Sequence, residues 1–216
     1  MTRAPIEIDF YYGIGSRYSY LASTQIERIE RIYGCRFHWL PLYSGRLIAA
    51  GGSDPFAGSP VSGQYDWAWR RRDAEAWAAF YAVPFREPRG RRMDAERLAL
   101  ACVAADRIGL AAPFSRCLFD MIFASDRPEI GADACDEAAA ALGLDAGRLR
   151  GLAEERATAD LHDRRIAEAR ARGAFGVPTF CVGDTVFWGN DRLPLLQHHL
   201  WTLQTAEAGA PVSPAR

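Results

Sequence analysis

The residue types able to do chemistry together fall into three short stretches of a 216-residue chain. The first is Ser16-Arg17-Tyr18-Ser19, just after the turn Gly13-Ile14-Gly15. A helix beginning here would offer unpaired backbone N–H groups to an anion such as a thiolate. Both Ser16 and Ser19 are serine, so the chain has no thiol of its own at this point and cannot close a local disulfide. A thiolate carried in by a ligand would instead take a hydrogen bond from the Ser16 hydroxyl. A plain helix cap is the competing role for Ser16. The second stretch is Gly176-Val177-Pro178-Thr179-Phe180. Pro178 cannot donate to a strand ladder, and its place at a strand entrance suits a cis peptide after Val177. In that geometry the N–H and C=O of Val177 point outward, free to pair with an extended, peptide-like ligand. An ordinary trans proline before a hairpin is the alternative. The third stretch is Trp188-Gly189-Asn190-Asp191. Asn190 or Asp191 would cap a last helix, whose first N–H groups suit a carboxylate, while Asp191 suits an ammonium group. A ligand ending in an α-amino acid would be matched on both charges. A capped surface helix beside a half-buried Trp188 accounts for the same residues.

These stretches need elements to hold them. Ile6, Ile8 and Phe10 alternate with Glu7, Asp9 and Tyr11, which predicts a strand with one buried face. Leu21, Ile26, Ile29 and Ile32 recur near helical spacing as far as Gly34, and residues 35–42 read as a second strand. The result is a β-α-β unit of the size a parallel pair requires. Residues 44–60 are rich in Gly, Ser and Pro and predict a loop with one helical turn near Leu47 to Ala50. Helical periodicity then covers 64–82, 94–109, 113–124, 133–142, 146–156 and 158–172. Strand signals return at 179–182 and 185–188 around Gly183-Asp184, a two-residue hairpin signal, and a last helix runs from Asn190 or Asp191 toward Ala206. The order β-α-β, helices, α-β-β-α is that of an α/β thioredoxin fold with an all-helical subdomain inserted between its halves. Residues 1–44 and 173–205 would form the thioredoxin-like domain, 45–172 the insertion, and 206–216 a flexible tail.

Composition narrows the chemistry. Apolar residues make up 49% and charged residues 25%, which suits a packed core, and the net charge of −1 gives no global basic field for nucleic acid. All 26 basic residues are arginine, which excludes a lysine Schiff base and a phosphate-loop lysine. Cys35, Cys102, Cys117, Cys135 and Cys181 form no C-x-x-C pair and read as buried thiols in a reducing compartment. Glu7 and Asp9 stand where a signal peptide would be apolar, and no run of about 18 apolar residues occurs. A cytoplasmic protein without membrane segments is the expectation. The four histidines lack ligand-spaced partners, so no metal site is expected. Arg70-Arg71-Arg72 with Arg86, Arg89, Arg91 and Arg92 read as a solvated face without a role. Trp67, Trp69, Trp77 and Phe80 are able to wall an aromatic pocket, although a core position is the commoner use.

Taken together, the run Asp9 to Tyr12 with Ser16 to Ala22, the segments Arg72 to Trp77 and Tyr81 to Phe85, and Phe175 to Phe180 with Phe187 to Leu193 resemble the 2-hydroxychromene-2-carboxylate isomerases, relatives of the kappa-class glutathione transferases. The resemblance spans residues 6 to about 200. It implies a glutathione-dependent cis-trans isomerase that acts on an aromatic carboxylate through reversible thiolate addition, assembled as a homodimer. By position, Ser16 would face the glutathione sulfur as the catalytic residue, and Val177 beside Pro178 would pair with the cysteinyl backbone. Trp188, Gly189, Asn190 and Asp191 would hold the γ-glutamyl end, with Tyr18 and Gly52 on the substrate side. This sequence has Arg17 where the family commonly has proline, Gly13 in place of Asp or a similar residue, and Gly52 near a common Asn. Arg17 would lower a thiol pKa further or bind an acidic substrate. A kappa-type glutathione transferase and a redox-inactive, peptide-binding thioredoxin-like module stand as the alternatives.

Overall fold

A computed structural model of the chain describes residues 4–51, 67–87 and 90–207. The first half of the sheet is β1 (Ile6–Tyr12), α1 (Arg17–Ser23), α2 (Ile26–Tyr33) and β2 (Cys35–Pro41), followed by α3 (Ser44–Ala49). The helical stretch comprises α4 (Trp67–Tyr81), α5 (Ala95–Asp106), α6 (Ala111–Phe123), α7 (Ala132–Ala141), α8 (Ala146–Glu154) and α9 (Arg156–Ala171). Within it, β3 (Arg92–Met93) and β4 (Glu129–Ile130) form a short parallel ladder. The chain returns through β5 (Thr179–Val182), β6 (Thr185–Trp188), a single 3-10 turn at Asn190–Arg192 and α10 (Leu193–Glu207).

The main sheet has the order β2-β1-β5-β6, with β1 parallel to β2 and antiparallel to β5. Val182 pairs with Thr185 across Gly183-Asp184, as the two-residue turn signal predicts. The mixed sheet and its helices are those of a thioredoxin fold.

The period-2 pattern of β1 sets its two faces. Phe10 stacks on Phe180 (5.1 Å) and on Tyr12 (4.9 Å), with Trp39 edge-on at 5.2 Å and Phe119 of α6 at 5.8 Å from Tyr12. The Tyr12 hydroxyl shares a hydrogen bond of 2.6 Å with Ser115 of α6. The other face was expected to be open, but it is covered. Tyr11 and Cys181 lie in a second core with Leu47 of α3 and with Ile166 and Ala169 of α9. The sheet is therefore buried on both sides by helices that the local alternation of β1 cannot report.

The helix expected between Ser16 and Gly34 is two helices. The Ser23 and Thr24 hydroxyls donate back to the carbonyls of Tyr20 and Leu21 at 2.7 Å each, and the Gln25 N–H turns to Ala22, one residue short of helical spacing. Gly34 then ends α2 at φ 56°. Asp94 and Asp145 cap α5 and α8 by accepting from the N–H groups of Arg97 and Arg148. Arg165 of α9 is buried and joins distant parts, donating to the Pro41 carbonyl at 3.1 Å and pairing with Asp106 at 2.6 Å. Among the described residues, no helix is long and apolar enough to cross a membrane.

Candidate functional site

Three segments meet where β1 ends. Gly13 lies between Ser44 at the start of α3 and Val177, so close that a Cβ there would come within 3.3 Å of both side chains. The Ser16 N–H closes a turn onto the Gly13 carbonyl at 2.9 Å. Ser16 then caps α1, its Oγ accepting from the Ser19 N–H at 3.2 Å. The cap role is real, and it leaves the hydroxyl proton free to donate elsewhere.

The Val177–Pro178 peptide is cis, as its place in the sequence suggests. Among the described residues, neither the N–H nor the carbonyl of Val177 enters a backbone pair. The Pro178 carbonyl does, accepting from the Gly189 N–H at 2.9 Å. This bond ties the loop to the end of β6.

Ser16, Tyr18 and Val177 line one cleft of about 620 Å³. Its other described walls include Ser44 and Ile48 of α3, Met93, and Ile122 and Phe123 of α6. Among the described residues, no cysteine lines it. Burial pushes the Cys35 and Cys135 thiols up to about 11 and raises Cys102, Cys117 and Cys181 as well, so all five hold their protons at neutral pH. The Tyr18 hydroxyl donates to Asp73 of α4 at 2.7 Å. Burial and then that carboxylate raise its pKa, so Tyr18 stays protonated.

Arginines that the sequence assigned to a solvated face are here as well. Arg70, Arg71 and Arg91 line the cleft beside Arg17, with Glu87 as the one acidic residue among the described walls. Arg17 pairs with Glu87 at 3.1 Å, and its guanidinium lies 4.9 Å from the centre of the Trp67 ring. Trp67 also lines the cleft and is 72% exposed, whereas Phe80 is 77% exposed and takes no part in its walls. Arg86 and Arg92 do meet the solvated-face reading, in exposed pairs with Asp126 and Glu129.

The third stretch lies apart. Trp188, Gly189, Asn190 and Asp191 are not among the described walls of this cleft. The expected cap at Asn190 or Asp191 is replaced by the 3-10 turn, with Gly189 before it at φ 112° and ψ 152°, a conformation that only glycine adopts readily. Asn190 is 2% exposed, and its Oδ1 accepts from the Tyr81 hydroxyl of α4 at 3.2 Å instead of capping the turn. Asp191 is exposed and pairs with Arg192. Trp188 packs on Phe175, ring centres 4.6 Å apart, above Gly176, where a Cβ would come within 2.7 Å of the indole nitrogen. Gly52 lies outside the described residues.

His162 is fully buried on α9, where its Nε2 accepts from the Tyr43 N–H at 2.9 Å, immediately before Ser44. Among the described residues, no cluster of His, Cys, Asp and Glu could hold a metal ion.

The chain matches the model of the DsbA-like thioredoxin domain over residues 7–201. It is 32% identical over 200 residues to a 2-hydroxychromene-2-carboxylate isomerase of Sphingobium xenophagum, covering 89% of this chain and 97% of the relative. A protein of the same name from Pseudomonas putida is 25% identical over 194 residues, covering 88% and 92%. A solved 2-hydroxychromene-2-carboxylate isomerase superposes with a TM-score of 0.78 at 24% identity, over 94% of this chain and 98% of that one. From this sheet order, the cis proline beside a capped first helix and these matches, the chain belongs to the DsbA-like thioredoxin family, in the branch with the 2-hydroxychromene-2-carboxylate isomerases.

Proposed function

We propose that the protein is a glutathione-dependent cis-trans isomerase of aromatic carboxylates. The observation that carries this reading is the cleft shared by Ser16 and Val177, which has a free hydroxyl donor and a free peptide edge but no thiol of the chain itself. The residues fit a thiol tripeptide. The Val177 N–H and C=O offer the two bonds of an added strand, and the volume is in the range of small-molecule sites. The names of the Sphingobium and Pseudomonas relatives support the substrate class.

When bound, glutathione supplies a thiolate that adds reversibly to a conjugated double bond, allows rotation about the resulting single bond, and leaves again. The chain's own residues do the rest. Ser16 donates to the sulfur and favours its ionised form, helped by the N–H groups at the start of α1. Val177 orients the cysteinyl backbone. Gly189, fastened to Pro178, sets the position of the 188–191 segment, where Trp188 and the exposed Asp191 receive the γ-glutamyl end and the buried Asn190, held by Tyr81, supports them. Tyr18, whose hydroxyl proton is engaged by Asp73, leaves its oxygen lone pairs to accept on the substrate side. Ile122 and Phe123 give the aromatic body an apolar wall. A cytoplasmic homodimer completes the reading.

Reduced glutathione is expected to raise the melting temperature in proportion to the logarithm of its concentration, and isomerisation of a 2-hydroxychromene-2-carboxylate is expected to require it. Full turnover in thiol-free buffer would refute the reading. A product that retains glutathione would make the protein a transferase instead, and capture of extended peptides without glutathione binding would make it a binding module.

A further inference from the structure

The described walls of the cleft that contains Ser16 carry more positive than negative charge. On its described walls, Arg17, Arg70, Arg71 and Arg91 face one carboxylate, Glu87. Arg71 is engaged by Glu75 at 3.2 Å and by the Glu87 carbonyl. Among the described residues, Arg17 and Arg91 are each left with an unmet donor. The Arg17 side chain is only 10% exposed. Its Nη2 pairs with Glu87, but its Nη1 is buried with no hydrogen-bond partner. Arg91 donates from Nε to the Arg127 carbonyl (2.9 Å) and from Nη2 to the Ser125 carbonyl (2.8 Å), and its Nη1 is likewise buried and unpartnered.

A buried donor on a charged group without an acceptor is costly, and neither carbonyl bond neutralises Arg91. An oxyanion at either guanidinium would supply a missing acceptor and a compensating charge. The two carbonyls hold the Arg91 fork, and the Trp67 ring and Glu87 hold that of Arg17, so little ordering remains for a ligand to impose. The same cleft carries Ile48, Met93, Ile122 and Phe123, so the anion it suits is an organic acid with an apolar body.

We propose that Arg17, seconded by Arg91, receives the acidic group of the organic substrate and is the residue by which the cleft distinguishes an aromatic carboxylate from its neutral counterpart. This rests on the reading of the cleft as the site of an aromatic carboxylate, and it assigns Arg17 to that carboxylate in preference to tuning the sulfur.

Titration calorimetry with 2-naphthoate and 2-naphthamide tests it without turnover, on the wild-type chain, Arg17→Gln and Arg17→Lys, with glutathione binding followed in parallel by thermal shift. Arg17→Gln is expected to weaken naphthoate binding about tenfold or more and to leave naphthamide unchanged, with Arg17→Lys recovering part of the loss. Equal losses for acid and amide would make Arg17 a structural residue and overturn the proposal, as would undiminished naphthoate binding. A wild-type chain that binds glutathione but shows no preference for naphthoate over naphthamide would refute the proposal and leave the isomerase reading standing. An Arg17-dependent preference in a chain that ignores glutathione would support it and refute that reading.

Discussion

His162 makes the cleft wall sensitive to acid. Its Nε2 must be bare to accept the Tyr43 N–H, so a protonated ring would set two N–H groups against each other. Burial, then Arg46 beside the ring, lowers its pKa from 6.5 to about 4, opposed in part by Asp163. The unfolded chain therefore binds a proton at this residue over a pH range in which the folded chain does not. Stability contributed by the neutral ring is complete above pH 6.5 and falls as the pH drops toward about 4. The difference in proton affinity corresponds to about 3 kcal/mol by pH 4. His162→Gln keeps an acceptor for the Tyr43 N–H but has no proton to gain. Urea unfolding of both proteins across this range isolates the histidine, since every carboxylate is common to the two chains. The wild-type chain is expected to lose about 3 kcal/mol more than the variant, with the loss beginning near pH 6.5. Parallel stability profiles would refute the argument.

Two further outcomes follow from the hydrogen bonds. Ser16→Ala is expected to cost about 1 kcal/mol of fold stability through the lost cap and to raise the pKa of the bound glutathione thiol, read from thiolate absorbance against pH. An unaltered thiol pKa would remove Ser16 from its catalytic role. Ser115→Ala strands the buried Tyr12 hydroxyl and is expected to cost about 1–3 kcal/mol in urea unfolding, with Tyr12→Phe in the same chain recovering part of that loss. Strictly additive losses would show that the two hydroxyls are not coupled.

Much of the scaffold is legible in local sequence because local chemistry decides it. The alternation through Phe10, the hairpin at Gly183-Asp184 and the position of Pro178 each depend on a few adjacent residues. The errors arise where a distant segment intervenes. Tyr11 looks outward from its neighbours alone, yet Ile166 and Ala169 cover it from α9. Asn190 looks like a cap, yet Tyr81 takes its carboxamide oxygen from α4. Ser16 and Tyr18 share a motif that points to a site, and Val177 joins them through the sheet. The arginines carry no such signal. Arg70, Arg71 and Arg91 form ordinary charged runs, and only the placement of α4 and of the chain leading into β3 brings them to the wall beside Arg17. Residue spacing records what lies along one element, whereas a cleft is assembled from several.

The five protonated cysteines matter for how such a protein tolerates its surroundings. Disulfide exchange begins with attack by a thiolate, and this chain keeps its cysteine thiols protonated and off the described walls of the groove. On the proposed function, a visiting thiol meets no rival thiolate among the described walls and forms no mixed disulfide with them. On the same reading, oxidised tripeptide would find no cysteine among the described walls to exchange with, so the scaffold would stay serviceable when the redox balance around it drifts.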